Sequence, residues 1–129
     1  MESQYKPENY STVSPYLIVD GAQATINFLV QVFGAEELVV IPDGSGKVMH
    51  AAVRIEDTVI MLADSFPPNR PAVPSDVHIY VKDVDSIYYK ALAAGAVSVQ
   101  EPVKKQDPDK RGAVKDSGGT TWWISTKVE

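Results

Sequence analysis

The chain contains no cysteine in its 129 residues. That excludes disulfide staples, thiol catalysis and thiolate metal sites, and it fits a reducing compartment such as the cytoplasm. Histidine is scarce: His50 and His78 are the only two, so imidazole chemistry must pass through one or both of them. No apolar run approaches the ~18 residues of a membrane span, and residues 1–12 lack the apolar core of a signal peptide. A cytoplasmic protein with no membrane partner is therefore expected. A formal charge of −5 without a clustered basic stretch argues against nucleic acid as a partner, because phosphate binding needs a concentrated cationic surface.

What is present is an ordinary globular composition, 44% hydrophobic and 22% charged, in a 14.1 kDa chain of single-domain size. Its plan is a duplication. The stretch YLIVDGAQATINFLVQVFG at 16–34 returns as VHIYVKDVDSIYYKALAAG at 77–95. Ser14 pairs with Asp76, Val19 with Val81 and Met61 with Trp123, a constant separation of 62 positions. A long period present only twice indicates two modules sharing one core, and not a solenoid. The expected organisation is one domain over 1–129, with a first module at 14–64, a Pro-rich linker at 65–75 and a second module at 76–126.

Each module reads as strand, helix and three strands, an α+β pattern. In the first, a strand at 16–19 ends at Asp20-Gly21, and a helix over 22–33 places Ile26, Leu29, Val30 and Phe33 on one face before Gly34. Strands at 37–41 and 48–55 form a hairpin around the Pro42–Gly46 turn, and a strand at 58–63 follows. Prolines at 67, 68, 71 and 74 make the linker a stiff extended segment. The second module has a strand at 77–81, a helix capped by Asp83 that buries Val84, Ile87, Tyr88, Ala91 and Leu92, and strands at 98–100, 112–115 and 121–126. The charge-rich run 103–111 reads as a solvated loop or, at a pocket mouth, as a contact for an anionic ligand.

Alternation sorts the strand residues into two faces. Leu17, Val19, Ala51, Val53, Ile55, Ile60, Leu62, Val77, Ile79, Val81, Trp122 and Ile124 form a uniformly apolar set suited to packing under helices. The opposite register is mixed, and it holds the candidate ligand-binding residues Tyr16, His50, Arg54, Met61, Asp76, His78, Tyr80 and Trp123. Apolar and aromatic walls with a few polar groups suit a small organic ligand. His50 and His78 are candidates for a general base or a hydrogen-bonding role, the alternative being a merely structural or partly solvated histidine. Together with Asp76 they also make a conceivable two-His, one-carboxylate set for a divalent metal. Arg54 has three available partners: a ligand anion, Asp76 or water. Tyr16 and Trp123 can stack on a planar ligand or simply fill volume.

The motifs PYLIVDGA at 15–22, FGAEEL at 33–38, MHAAVRIEDTVIMLAD at 49–64, VHIYVKDVDSI at 77–87 and KDSGGTTWWIST at 115–126 together resemble the vicinal oxygen chelate superfamily of glyoxalases, bleomycin-resistance proteins and extradiol dioxygenases. Within it they look most like the PhnB-like branch. The resemblance implies paired βαβββ modules forming curved mixed sheets, and commonly a homodimer in which modules of two chains combine. It also implies four metal-ligand positions, which here carry Ser14, Met61, Asp76 and Trp123. Serine is a poor ligand, a thioether is soft, and indole offers only a donor N–H. The expectation is therefore a metal-independent, bleomycin-resistance-like protein that binds a small organic molecule without a cofactor. The alternative is a metal-dependent lyase or dioxygenase using His50, Asp76 and His78. Whether the chain is an enzyme stays open at this stage.

Overall fold

The computed structural model describes residues 4–129. In the first half, β1 (Tyr16–Val19) leads through α1 (Ala22–Phe33) to β2 (Glu36–Pro42), β3 (Val48–Ile55) and β4 (Thr58–Asp64). The second half repeats the order as β5 (Ser75–Tyr80), α2 (Val84–Ala93), β6 (Val97–Lys104), β7 (Asp109–Lys115) and β8 (Thr120–Lys127). The sheets run β1-β4-β3-β2 and β5-β8-β7-β6. In each, the first strand is parallel to the last and the other pairs are antiparallel. The two βαβββ modules and mixed sheets expected from the sequence are what the chain forms.

The N-terminus of α1 shows how sequence-distant residues fix the fold. Gly21 occupies the cap position in the left-handed region (φ 80°) and no side chain of its own segment caps the helix. Asp64, at the end of β4, does this instead. Its Oδ1 accepts from the Gly21 and Ala22 N–H groups, each at 2.9 Å, and its Oδ2 accepts from Val48 N–H at 2.7 Å. A carboxylate suits the positive end of the helix dipole and satisfies backbone donors that the helix leaves unpaired. α2 uses its own cap, Asp83, which accepts from Ser86 N–H at 3.2 Å.

α1 buries Ala22, Thr25, Ile26, Phe28, Leu29 and Val32, following the i, i+3, i+4, i+7 spacing. Val30, expected on that face, is 40% exposed, because the apolar stripe passes through Val32 and leaves it on the flank. In α2, Val84, Tyr88 and Ala91 are buried, with Ile87 and Leu92 packed at the margin. Both helices and the inner faces of both sheets contribute to one core. Phe33 of α1 meets Trp122 of β8 with ring centroids 5.4 Å apart. At the β7–β8 turn, a Cβ on Gly118 would lie 2.7 Å from Thr25 Oγ1, so only glycine allows this close approach of the second module to α1.

Two sequence expectations are corrected. The run 103–111 is a solvated loop only over residues 105–108: β6 continues to Lys104 and β7 starts at Asp109. β6 is an edge strand, so Pro102 within it costs no central ladder hydrogen bond. The charges are neutralised in pairs: Lys104 with Glu129 at 3.0 Å, Lys110 with Asp85 of α2 at 2.9 Å, and Arg111 with Asp107 and Asp109, each at 3.0 Å. The Pro-rich segment is not a plain extended spacer either. Phe66 and Arg70 exchange two backbone hydrogen bonds, at 2.7 and 2.8 Å, and Val73 N–H donates to Ile18 O at 3.0 Å. The segment is thereby folded against the outer edge of β1. Among the described residues no helix is long and apolar enough to cross a membrane.

Candidate functional site

The strand faces divide as alternation requires. Leu17, Val19, Ala51, Val53, Ile55, Ile60, Leu62, Trp122 and Ile124 are buried under the helices, while Tyr16 (44% exposed) and Tyr80 (63%) stand on the other side. A one-residue slip in either sheet would invert this and bury the polar register. Val77, Ile79 and Val81 are only partly buried. They border a groove of about 970 Å³ beside the free edge of β5, whose walls include Phe33, Ile55, Ile60 and Trp122. Inner-face residues of both sheets thus share one core, and the groove at the β5 edge also reaches His78 and Tyr80 of the other register.

On the first outer face the β1–β4–β3 register places Tyr16 beside Met61 and Met61 beside Ala52. The Tyr16 hydroxyl lies 3.0 Å from His50 Nδ1, with the rings 5.7 Å apart and tilted by 45°. Arg70, from the Pro-rich segment, lays its guanidinium 5.2 Å from the centroid of the Tyr16 ring, a cation–π distance. Arg54 is engaged elsewhere. It sits directly opposite Glu36 in the β2–β3 register and donates to it at 2.6 Å, a cross-strand ion pair with a residue that was not among the partners considered for it.

The second outer face carries an indole–carboxylate pair and, separately, a polar network around Ser125. Trp123 Nε1–H donates to Asp76 Oδ1 at 2.9 Å. His78 Nε2 lies 2.9 Å from Ser125 Oγ, and Arg111 Nε–H donates to that same oxygen at 2.8 Å. A guanidinium can only donate, so Ser125 Oγ accepts from Arg111; its second lone pair and its own proton let it meet His78 Nε2 in either tautomer. Partial burial lowers the His78 pKa below its ordinary value of 6.5. The neighbouring Arg111 cation acts in the same direction, and Asp109 opposes it. Tyr80 donates to Asp109 Oδ2 at 2.7 Å, and that hydrogen bond raises its hydroxyl pKa. His78 and Tyr80 meet edge to face at 4.7 Å.

Within one chain the candidate residues therefore form two groups. Tyr16, His50 and Met61 lie on one outer face; Asp76, His78, Tyr80 and Trp123 lie on the other. Among the described residues no hydrogen bond or ring contact joins the groups, so one chain does not assemble the His50, Asp76 and His78 set. No three His, Asp or Glu side chains among the described residues converge as metal ligands. The four positions implied by the resemblance do not form a donor set. Ser14 Oγ lies 3.3 Å from Ser11 Oγ, Met61 offers a thioether, Trp123 offers a donor, and the one carboxylate, Asp76, accepts the Trp123 indole N–H.

Sequence reading missed three participants. Arg111 and Asp109 were hidden in the charged run, although Asp109, Arg111 and Ala113 share a period of two, which is a strand signal. Arg70 lies in a proline-rich stretch with no periodicity, and nothing local announces that it folds over Tyr16.

Comparison with known proteins places these observations. A family model described as the Glyoxalase/Bleomycin resistance protein/Dioxygenase superfamily matches residues 11–124. An uncharacterised protein of Mycobacterium bovis is 35% identical over 126 residues, covering 90% of this chain and 83% of that protein. Among solved structures, TioX from Micromonospora sp. ML1 superposes with a TM-score of 0.76 at 24% identity, covering 91% of this chain and 98% of its own. A PhnB protein from Bacillus cereus gives 0.72 at 20%, covering 90% and 99%. TnmS3, an antibiotic binding protein from Streptomyces sp. CB03234, gives 0.68 at 19%, covering 92% and 99%. At these identities the structural likenesses establish the fold.

Proposed function

Since the chain belongs to the glyoxalase/bleomycin resistance protein/dioxygenase superfamily, we propose that it is a metal-independent member that binds a small organic molecule on the outer faces of its sheets. One observation carries this reading. Trp123 stands where the superfamily's metal enzymes are expected to place a ligand, and its indole N–H engages Asp76, the only carboxylate among the four positions. An indole N–H offers a metal no lone pair, and a carboxylate accepting that bond has lost part of its donor capacity. In place of a metal centre the faces offer aromatic surfaces, Tyr16 and Trp123, beside a few oriented polar groups, the lining that holds flat organic ligands. TnmS3, described as an antibiotic binding protein, has the same fold and supports this choice of class.

The binding unit in this proposal is a homodimer. Among the described residues no hydrogen bond or ring contact joins the two groups within one chain, so in this proposal a pocket walled by both is built from the first sheet of one protomer against the second sheet of its partner. The free edge of β5 and the apolar groove beside it are the surfaces such pairing would cover, as unpaired strand edges favour association.

Elemental analysis of protein purified without chelator tests the metal-independent reading. The expected result is no stoichiometric transition metal. About one zinc, nickel, manganese or iron per chain, lost on His50→Ala or His78→Ala, would overturn it.

A further inference from the structure

The chain has three arginines, Arg54, Arg70 and Arg111, and two of them are matched. Arg54 pairs with Glu36 at 2.6 Å, and Arg111 with Asp107 and Asp109 at 3.0 Å. Among the described residues Arg70 has no carboxylate partner: its backbone is held by the exchange with Phe66, and its guanidinium rests on the Tyr16 ring at 5.2 Å. It is half-buried, so its charge is partly shielded from water and its position is fixed at both the backbone and the head group.

Beside it, the Tyr16–His50 contact at 3.0 Å leaves a proton donor in either arrangement. If the tyrosine hydroxyl donates to Nδ1, His50 carries an Nε2–H; if Nδ1–H donates to the tyrosine oxygen, the hydroxyl proton is free. An unmatched guanidinium fork beside this donor is complementary to one negatively charged, planar, two-oxygen group. Around it Ile18, Ala52, Met61 and Ala63 supply apolar positions on the same register.

We propose that Arg70, Tyr16 and His50 form a carboxylate-binding corner on the first outer face, so that the ligand is an organic acid carrying an apolar body. This deepens the small-molecule reading above and rests on it. Arg70 fixes the charged end, while Tyr16 and His50 orient it against the sheet. Arg54, though on the same face, does not take part, because Glu36 already neutralises it.

The test uses the full chain and two probes of equal shape, 2-naphthoate and its uncharged analogue 2-naphthamide. Three arginine Nε–H signals are followed by NMR and assigned by substitution. The expected result is saturable movement of the Arg70 signal by 2-naphthoate only, with Arg54 and Arg111 unmoved. Arg70→Gln should weaken 2-naphthoate about tenfold or more, the loss of one charge-assisted contact, and leave 2-naphthamide unchanged; Arg54→Gln should alter neither. Equal affinity for both probes with no effect of Arg70→Gln would overturn the corner while leaving the small-molecule reading intact. Uniform movement of all three signals would overturn it as non-specific anion binding. Failure of both probes to saturate at millimolar concentration would count against the corner and the small-molecule reading together.

Discussion

The indole N–H of Trp123 reaches diagonally across the β5–β8 pair to the carboxylate of Asp76, 2.9 Å away, while the adjacent Trp122 points through the sheet and donates to the buried carboxylate of Asp116 at 2.8 Å. Two consecutive tryptophans thus serve opposite faces. Trp122 is fully buried against Phe33, so Trp122→Ala is expected to destabilise the fold by about 3–5 kcal/mol. Trp123→Ala should cost about 1–2 kcal/mol, through partial burial and one exposed hydrogen bond. Urea denaturation of the two variants checks this, and a reversed order would contradict the face assignment.

Asp64 is expected to matter more for stability than its charge suggests. It is buried and accepts three backbone N–H bonds from the α1 entry and β3. Asp64→Ala leaves those donors without partners and should cost about 3 kcal/mol or more. The surface pair of Arg54 and Glu36 makes a useful contrast, since Arg54→Ala should change stability by less than about 1 kcal/mol. Thermal or chemical denaturation of both variants reads the difference.

The fold was legible because local signals and tertiary demands agree in most elements. β1, α1 and β3 carry their alternation or helical spacing between clear turn residues, and the structure gives the ranges read for them. Legibility failed where charge hid periodicity. The 103–111 run looks solvated in sequence, yet Asp109 is buried because Tyr80 and Arg111, distant or masked in the sequence, neutralise and bond it. The site was legible in its faces and not in its partners. Alternation put Tyr16, His50, His78 and Trp123 on the outer side, but Glu36 claiming Arg54 and Arg70 covering Tyr16 are products of register and loop path, which no local pattern encodes.

His78 gives the stability a pH dependence. Its folded pKa lies below the unfolded value of 6.5, mainly because its ring is partly desolvated and also because Arg111 is close. The unfolded chain therefore binds the proton more readily. The contribution is intact above about pH 6.5 and is lost as pH falls through the folded pKa. Unfolding free energy measured between about pH 7.5 and pH 5 should decline toward the acid side, and His78→Gln should flatten the curve. An unchanged slope in His78→Gln would remove His78 as the cause.

The proposed homodimer predicts a light-scattering mass of two 14.1 kDa chains at micromolar concentration. A charged residue placed on the apolar wall of the β5 groove, as in Ile79→Glu, should shift the mass toward one chain, since a charge on a covered apolar surface is costly. A wild-type protein that weighs one chain would contradict the two-chain pocket.

The most direct test of the central claim is a titration of tryptophan fluorescence with a flat aromatic carboxylate such as 2-naphthoate, run on chelator-treated protein and again with added zinc, nickel, manganese or iron. Metal-independent binding at the outer faces predicts the same saturable change in every case, and its loss in Trp123→Ala. Binding that appears only when a metal is added, or that survives Trp123→Ala unchanged, would contradict it.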